Sequence, residues 1–170
     1  GITNWMYGSK TVGGILKKAV GVAPERNLPK VGRFNFKDHL KKYRVKRTDI
    51  SKRPVVLYID EFARYLDIQI GKDAIELLCR LGYDVELFYG ESGRTYLSKG
   101  FLKQAKKLVA QNMKRLKGIL DDGTLIVGLE PSAILSFRDE YQRLYDDKEQ
   151  LQKLASNSFL IEEFLAAEIA

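Results

Sequence analysis

Three short polar stretches each follow an apolar, β-branched run and each lead into a helical pattern. They are Asp60-Glu61-Phe62-Ala63-Arg64, Gly90-Glu91-Ser92-Gly93-Arg94-Thr95 and Glu130-Pro131-Ser132-Ala133. Each supplies a carboxylate, and two supply an arginine. These residue types allow three readings. Asp60, Glu61, Glu91 and Glu130, brought to one point, would offer the oxygen donors that a hard cation such as magnesium takes. The Gly-Glu-Ser-Gly-Arg loop would cradle a phosphate at a helix start, although it has neither the Gly-Lys-Ser/Thr ending of a P-loop nor G-x-G-x-x-G spacing. In the third reading the acids cap helices and pair with Arg64 and Arg94; on the residues alone this one is favoured.

Other chemistries lack their residues. The one cysteine, Cys79, makes no internal disulfide, and the one histidine, His39, builds no multi-histidine metal site. His39 is also far in sequence from Ser92, which sits in no nucleophile elbow. Leu129-Glu130-Pro131 gives no acceptor aspartate of the response-regulator kind.

Around these loops, Val55–Ile59, Val85–Phe88 and Leu125–Leu129 read as buried strands. Between the first two, Ile70, Ala74, Leu77, Leu78 and Leu81 repeat at helical spacing and stop at Gly82, with Cys79 on the far face. After the second, one long amphipathic helix is expected, with Leu97, Phe101, Ala105, Leu108, Val109, Met113, Leu116 and Leu120 inward and a run of lysines outward. After the third, Ser132 is the expected N-cap of a helix carrying Ile134, Phe137, Tyr141, Leu144 and Tyr145. The tail from Lys148 reads as two helical pieces broken at Ser156-Asn157-Ser158. The β-α-β-α-β-α order, with right-handed crossovers, predicts an α/β domain with a small three-stranded parallel sheet in order 2-1-3 and helices on both faces. The final helices should cover an edge or reach a partner. In such a sheet the three polar stretches meet at the carboxyl ends of the strands, where α/β proteins place their sites.

Composition sets the frame. A hydrophobic fraction of 45% and a charged fraction of 30% are those of a globular chain. No apolar run is long enough to span a membrane, no secretory signal opens the chain, and the start at Gly1 reads as an excised part of a longer protein. The setting expected is cytoplasmic, with peripheral contact to the inner face of a membrane allowed. The net charge of +7 is uneven: residues 1–53 carry 14 Lys+Arg against 3 Asp+Glu, and the remainder 15 against 19. Residues 1–53 therefore read as a basic arm or linker from a preceding module, with a marginal helix around Val12–Val20, a proline-restricted stretch from Ala23 to Pro29, a short helix through Phe36 and Leu40, and a charged linker from Arg44. Residues 54–170 read as one α/β domain. The basic arm with its aromatic rings could stack on nucleic acid, but packing on a neighbouring domain is the favoured use.

The runs G-E-S-G-R-T-Y-L-S-K-G-F-L-K-Q-A-K-K-L from Gly90, L-I-V-G-L-E-P-S-A from Leu125 and F-R-D-E-Y from Phe137 resemble the cysteine-rich (CCG) domain of bacterial iron–sulfur oxidoreductases. That family includes the iron–sulfur subunit of glycolate oxidase and cysteine-rich subunits of anaerobic glycerol-3-phosphate dehydrogenase and heterodisulfide reductase. The likeness runs from about Val12 to Ala167 and is strongest to the C-terminal part of fused proteins. In these an FAD-linked oxidase, of the D-lactate or 2-hydroxyglutarate dehydrogenase kind, is joined to ferredoxin-like and cysteine-rich modules. A-P-E-R-N-L-P-K from Ala23 is similar to the segment joining the last two. The resemblance implies FAD and an iron–sulfur cluster for the intact protein and none in this chain. As partners it implies the flavin and ferredoxin-like modules, a second CCG repeat and an electron acceptor.

The chain departs from the family where the cluster ligands would be. Glu61 stands at the first cysteine position, Glu91 and Ser92 at the next two, and Ala133 after Glu-Pro-Ser. Soft thiolate suits iron; carboxylate, hydroxyl and methyl do not replace it. These four are degenerate ligand positions, and Asp60, Arg64, Gly93, Arg94, Thr95, Glu130 and Ser132 are candidates for rim or docking contacts. No catalytic residue and no metal ligand is expected in this chain. The function implied is that of a domain of an FAD- and iron–sulfur-dependent oxidoreductase on a small 2-hydroxy acid, docking or completing the electron-transfer module. The alternatives are a purely structural docking module and, behind it, a carboxylate-held divalent metal.

Overall fold

The structure is a computed structural model that describes residues 9–19, 21–23, 25–26, 31–44 and 53–169. Two helices come from the basic third, α1 (Lys10–Ala19) and α2 (Phe36–Arg44). Most of the proline-restricted stretch and of the charged linker falls outside the described residues. Phe36 and Leu40 of α2 are buried together with Val55, Leu57 and Ile59, so this helix is part of the core's wall.

β1 (Arg53–Ile59) leads into a short helix α3 (Glu61–Tyr65), then α4 (Ile68–Arg80) and β2 (Tyr83–Tyr89). α5 (Arg94–Ser98) and α6 (Leu102–Asp121) follow, then β3 (Leu125–Gly128). A short helix α7 (Pro131–Ile134), a 3-10 turn (Leu135–Phe137) and α8 (Tyr141–Leu144) precede α9 (Lys148–Asn157), β4 (Ser158–Leu160) and α10 (Ile161–Ile169).

The sheet has four parallel strands in the order 2-1-3-4, which corrects the three strands expected. The extra strand is Ser158-Phe159-Leu160, at the break expected between two tail helices. It pairs with Ile126–Gly128 and is too short to show a two-residue pattern. Arg138 fastens it, donating from Nε and Nη2 to the Ser158 carbonyl at 2.8 and 2.6 Å.

Alternation along β1 divides the core. Val55, Leu57 and Ile59 face α2, α4 and Phe164 of α10; Val56 and Tyr58 face α6 to α9. Period-2 side chains on a sheet covered on both faces give this three-layer arrangement.

Two helices differ from their patterns. The buried side of α4 is Gly71, Ala74, Ile75, Leu78 and Cys79, whereas Ile70, Leu77 and Leu81 are 42%, 39% and 51% exposed. Small residues let Phe36 lie against Gly71, where an added Cβ would come within 2.6 Å of the ring. The helix is therefore rotated from the face its larger side chains suggest, and Cys79 is inside. The long helix expected from Leu97 is two helices, because Gly100 takes φ +75° between them. Phe101 beside that break is 50% exposed.

Candidate functional site at the carboxyl rim

Parallel register pairs Ile59 with Tyr89 and Tyr58 with Gly128, so the loops after β1, β2 and β3 leave along one rim of the sheet. The first two loops are tied directly. The Glu61 carboxylate accepts from the Ser92 backbone amide at 2.8 Å and from the Ser92 hydroxyl at 2.7 Å. Ser92 is buried, and its hydroxyl oxygen in turn accepts from the Arg94 amide at 3.1 Å. Gly93 takes φ +84° as this loop enters α5, a conformation a side chain would strain.

Behind the second loop lies a buried amide. The Asn112 side chain donates to the Glu91 carbonyl and to the Tyr141 hydroxyl, both at 2.8 Å. Tyr141 donates to the Ser92 carbonyl at 3.1 Å. Burial pushes the Tyr141 phenol above its ordinary range, which keeps it a neutral donor. Sequence reasoning misses Asn112; its signal is a polar residue among the inward positions Val109, Met113 and Leu116 of α6.

The remaining acids serve their own helices. Asp60 caps α3, one carboxyl oxygen accepting from the amides of Phe62 and Ala63 at 2.7 and 3.1 Å. Among the described residues its other oxygen, which is buried, meets no hydrogen-bond partner, and neither does the Tyr58 hydroxyl. Burial outweighs the two amides and raises the Asp60 carboxyl to about 6. Glu130, not Ser132, caps α7, accepting from the Ser132 amide at 3.3 Å and hydroxyl at 2.8 Å. Pro131 explains the shift, since its ring fits the first helical position and lacks only an N–H that would find no helical partner.

The arginines do not pair with the rim acids as expected. Arg94 binds Glu140. Arg64 lies over the Tyr65 and Tyr89 rings, 5.1 and 5.3 Å from their centroids. Glu91 and Thr95 are exposed at the side chain, while Ala133 is fully buried. Among the described residues, no group of three or more His, Cys, Asp or Glu is placed to hold a metal ion.

The arrangement is a rim closed by hydrogen bonds, with acids used as acceptors for local amides and hydroxyls. Comparison with known proteins supplies its context. The chain is 33% identical over 155 residues to D-2-hydroxyglutarate dehydrogenase of Pseudomonas putida, covering 85% of this chain and 15% of that protein. The relatives it matches include several dehydrogenases. It is 30% identical over 110 residues to the D-2-hydroxyglutarate dehydrogenase of Escherichia coli K12, covering 64% of this chain and 11% of the relative. Against a subunit of the anaerobic glycerol-3-phosphate dehydrogenase of the same organism, identity is 25% over 143 residues, 82% of this chain and 36% of the relative. The chain thus spans less than a sixth of either D-2-hydroxyglutarate dehydrogenase. No family model and no solved structure matches it. Homology ties it to oxidoreductases, and no helix among the described residues is long and apolar enough to cross a membrane.

Proposed function

We propose that this chain is a degenerate cysteine-rich module of a flavin- and iron–sulfur-dependent oxidoreductase acting on a small 2-hydroxy acid. Its part is to dock or complete the electron-transfer module. The observation that carries this reading is the Glu61–Ser92 pair. Two positions that hold cluster cysteines in the resembled domain hold here a carboxylate and a hydroxyl bonded to each other. A cluster does not fit these residues: both Glu61 oxygens are engaged by Ser92, Ala133 has no donor atom, and Cys79 lies in the core cluster on the α2–α4 side. Substrate chemistry belongs to the flavin of another domain, and the whole assembly works in the cytoplasm or against the inner face of the membrane.

The test uses the full-length gene product. Glu61→Ala and Ser92→Ala should lower electron transfer to an acceptor dye while leaving flavin content and flavin reduction by substrate unchanged. Loss of flavin reduction itself, or a stoichiometric iron–sulfur absorbance from the 170-residue chain alone, would overturn the assignment.

A second reading, a docking module without a redox role, draws on the rim's internal closure: Arg94 and Glu140, like Glu61 and Ser92, satisfy one another. It predicts unchanged electron transfer in both variants and weaker association between domains.

A further inference from the structure

Beside the rim, two concavities of about 720 and 540 Å³ meet at Arg64 and Tyr89. Among the described residues their walls carry six cations, Arg33, Lys37, Arg64, Lys107, Lys114 and Arg115, against one acid, Glu91. Among the described residues, none of the six is in an ion pair with a carboxylate. Like charges gathered without counter-charges create a positive potential that an anionic partner relieves.

Two of the cations are already held. Arg64 rests on the Tyr65 and Tyr89 rings. Arg115 lies 4.6 Å from the Phe88 centroid and donates to the Tyr89 carbonyl. Side chains fixed in advance lose less freedom on binding. The floor is Gly90, where a Cβ would come within 3.1 Å of Asn112 Oδ1 and 3.0 Å of the Phe88 ring, so a side chain there would need those neighbours to give by a few tenths of an ångström. Tyr89 and Tyr96 add aromatic surface to the wall.

We propose that this groove docks an extended acidic peptide segment of a neighbouring protein module. The proposal rests on the reading of the chain as a docking module and names its partner's chemistry. Both concavities are open, and their cations are spread along two joined hollows, which suits a strand of several carboxylates better than one small enclosed anion. Four of the six cations, Arg64, Lys107, Lys114 and Arg115, lie in residues 54–170, where the other 11 basic residues stand against 19 acidic ones, and Arg33 and Lys37 come from the basic residues 1–53. Two joined hollows match the length of a short acidic segment; a nucleic acid, charged along its whole length, is the competing occupant that the oligonucleotide arm of the test addresses.

The probe is a fluorescein-labelled ten-residue peptide of aspartate and glutamate with one central tyrosine, titrated with the 170-residue chain and read by anisotropy. Saturable binding is expected, weakening by about tenfold or more between roughly 50 and 300 mM salt as screening grows. Lys107→Glu/Lys114→Glu should weaken it by at least about tenfold, and Lys99→Glu/Lys103→Glu, outside the groove, by less than about twofold; melting curves check that each variant is folded. Equal losses in the two variants, no binding at low salt, displacement by millimolar phosphate or glutarate, or tighter binding of a single-stranded oligonucleotide would each overturn the proposal. Electron transfer in the full-length protein tests the redox reading separately, so failure of either result is distinguishable from failure of the other.

Discussion

Glu61 and Ser92, thirty-one residues apart, meet through two hydrogen bonds to one carboxylate, 2.8 Å from the amide and 2.7 Å from the hydroxyl. A charged acceptor makes such bonds worth more than neutral ones. Ser92→Ala should destabilise the chain by roughly 1–2 kcal/mol. The double variant with Glu61→Ala should cost little more than Glu61→Ala alone. Urea titrations of the four proteins give the coupling; fully additive losses would show that the pair does not form in solution.

Asp60 should make stability depend on pH. Its carboxyl is raised from 3.8 to about 6 by burial, so the folded state binds a proton more tightly than the unfolded one. The stabilisation is complete below about pH 4 and is lost as pH rises through about 6, on the order of 3 kcal/mol for a shift of this size. Asp60→Asn keeps a cap acceptor and should flatten that dependence. Asp60→Ala should also lose the cap, roughly 1 kcal/mol. A wild-type midpoint in urea that rises between pH 4 and pH 7 by the same amount as in the asparagine variant would contradict the assignment.

Asn112 donates to one buried acceptor, the Tyr141 hydroxyl, and one part-buried acceptor, the Glu91 carbonyl. Asn112→Ala should cost about 2 kcal/mol because both lose their donor. Tyr141→Phe should cost less, since Asn112 keeps its bond to the Glu91 carbonyl. Hydrogen exchange should localise the loss to the Gly90–Gly93 loop; a loss spread evenly over the sheet would count against the network.

Two glycines should separate the faces of the sheet. A methyl at Gly128 would fall inside the contact radius of Ile134 next to the backbone, while one at Gly71 would meet the far edge of the Phe36 ring. Gly128→Ala should therefore be the more damaging and should loosen α7. Gly71→Ala should chiefly expose α2, measured by amide exchange at Phe36 to Tyr43. The opposite ranking of the two melting temperatures would be unexpected on this packing.

The three central strands are legible in the sequence because β-branched runs such as Val55-Val56-Leu57-Tyr58-Ile59 have few other uses in a chain this size. Their parallel order follows from the helices between them, and so does the shared rim. The face of α4 is not legible from its large side chains, because the small size of Gly71, Ala74 and Cys79 is what allows Phe36 to approach. Ser158-Phe159-Leu160 carries too few residues to show alternation. At the site, the capping role of Asp60 is foreseeable from spacing within one loop, whereas Glu130 takes the cap expected of Ser132 because Pro131 fills the first helical position. The partners of Glu61 and Arg94 are not, since Ser92 and Glu140 come from loops whose distance only the folded sheet sets.

The rim's contacts are made by carboxylate, hydroxyl, amide and phenol groups, and the lone thiol of Cys79 is sealed in the core. Among the described residues, none of the hydrogen bonds closing this rim depends on a thiol, so exposure to air should leave its shape unchanged.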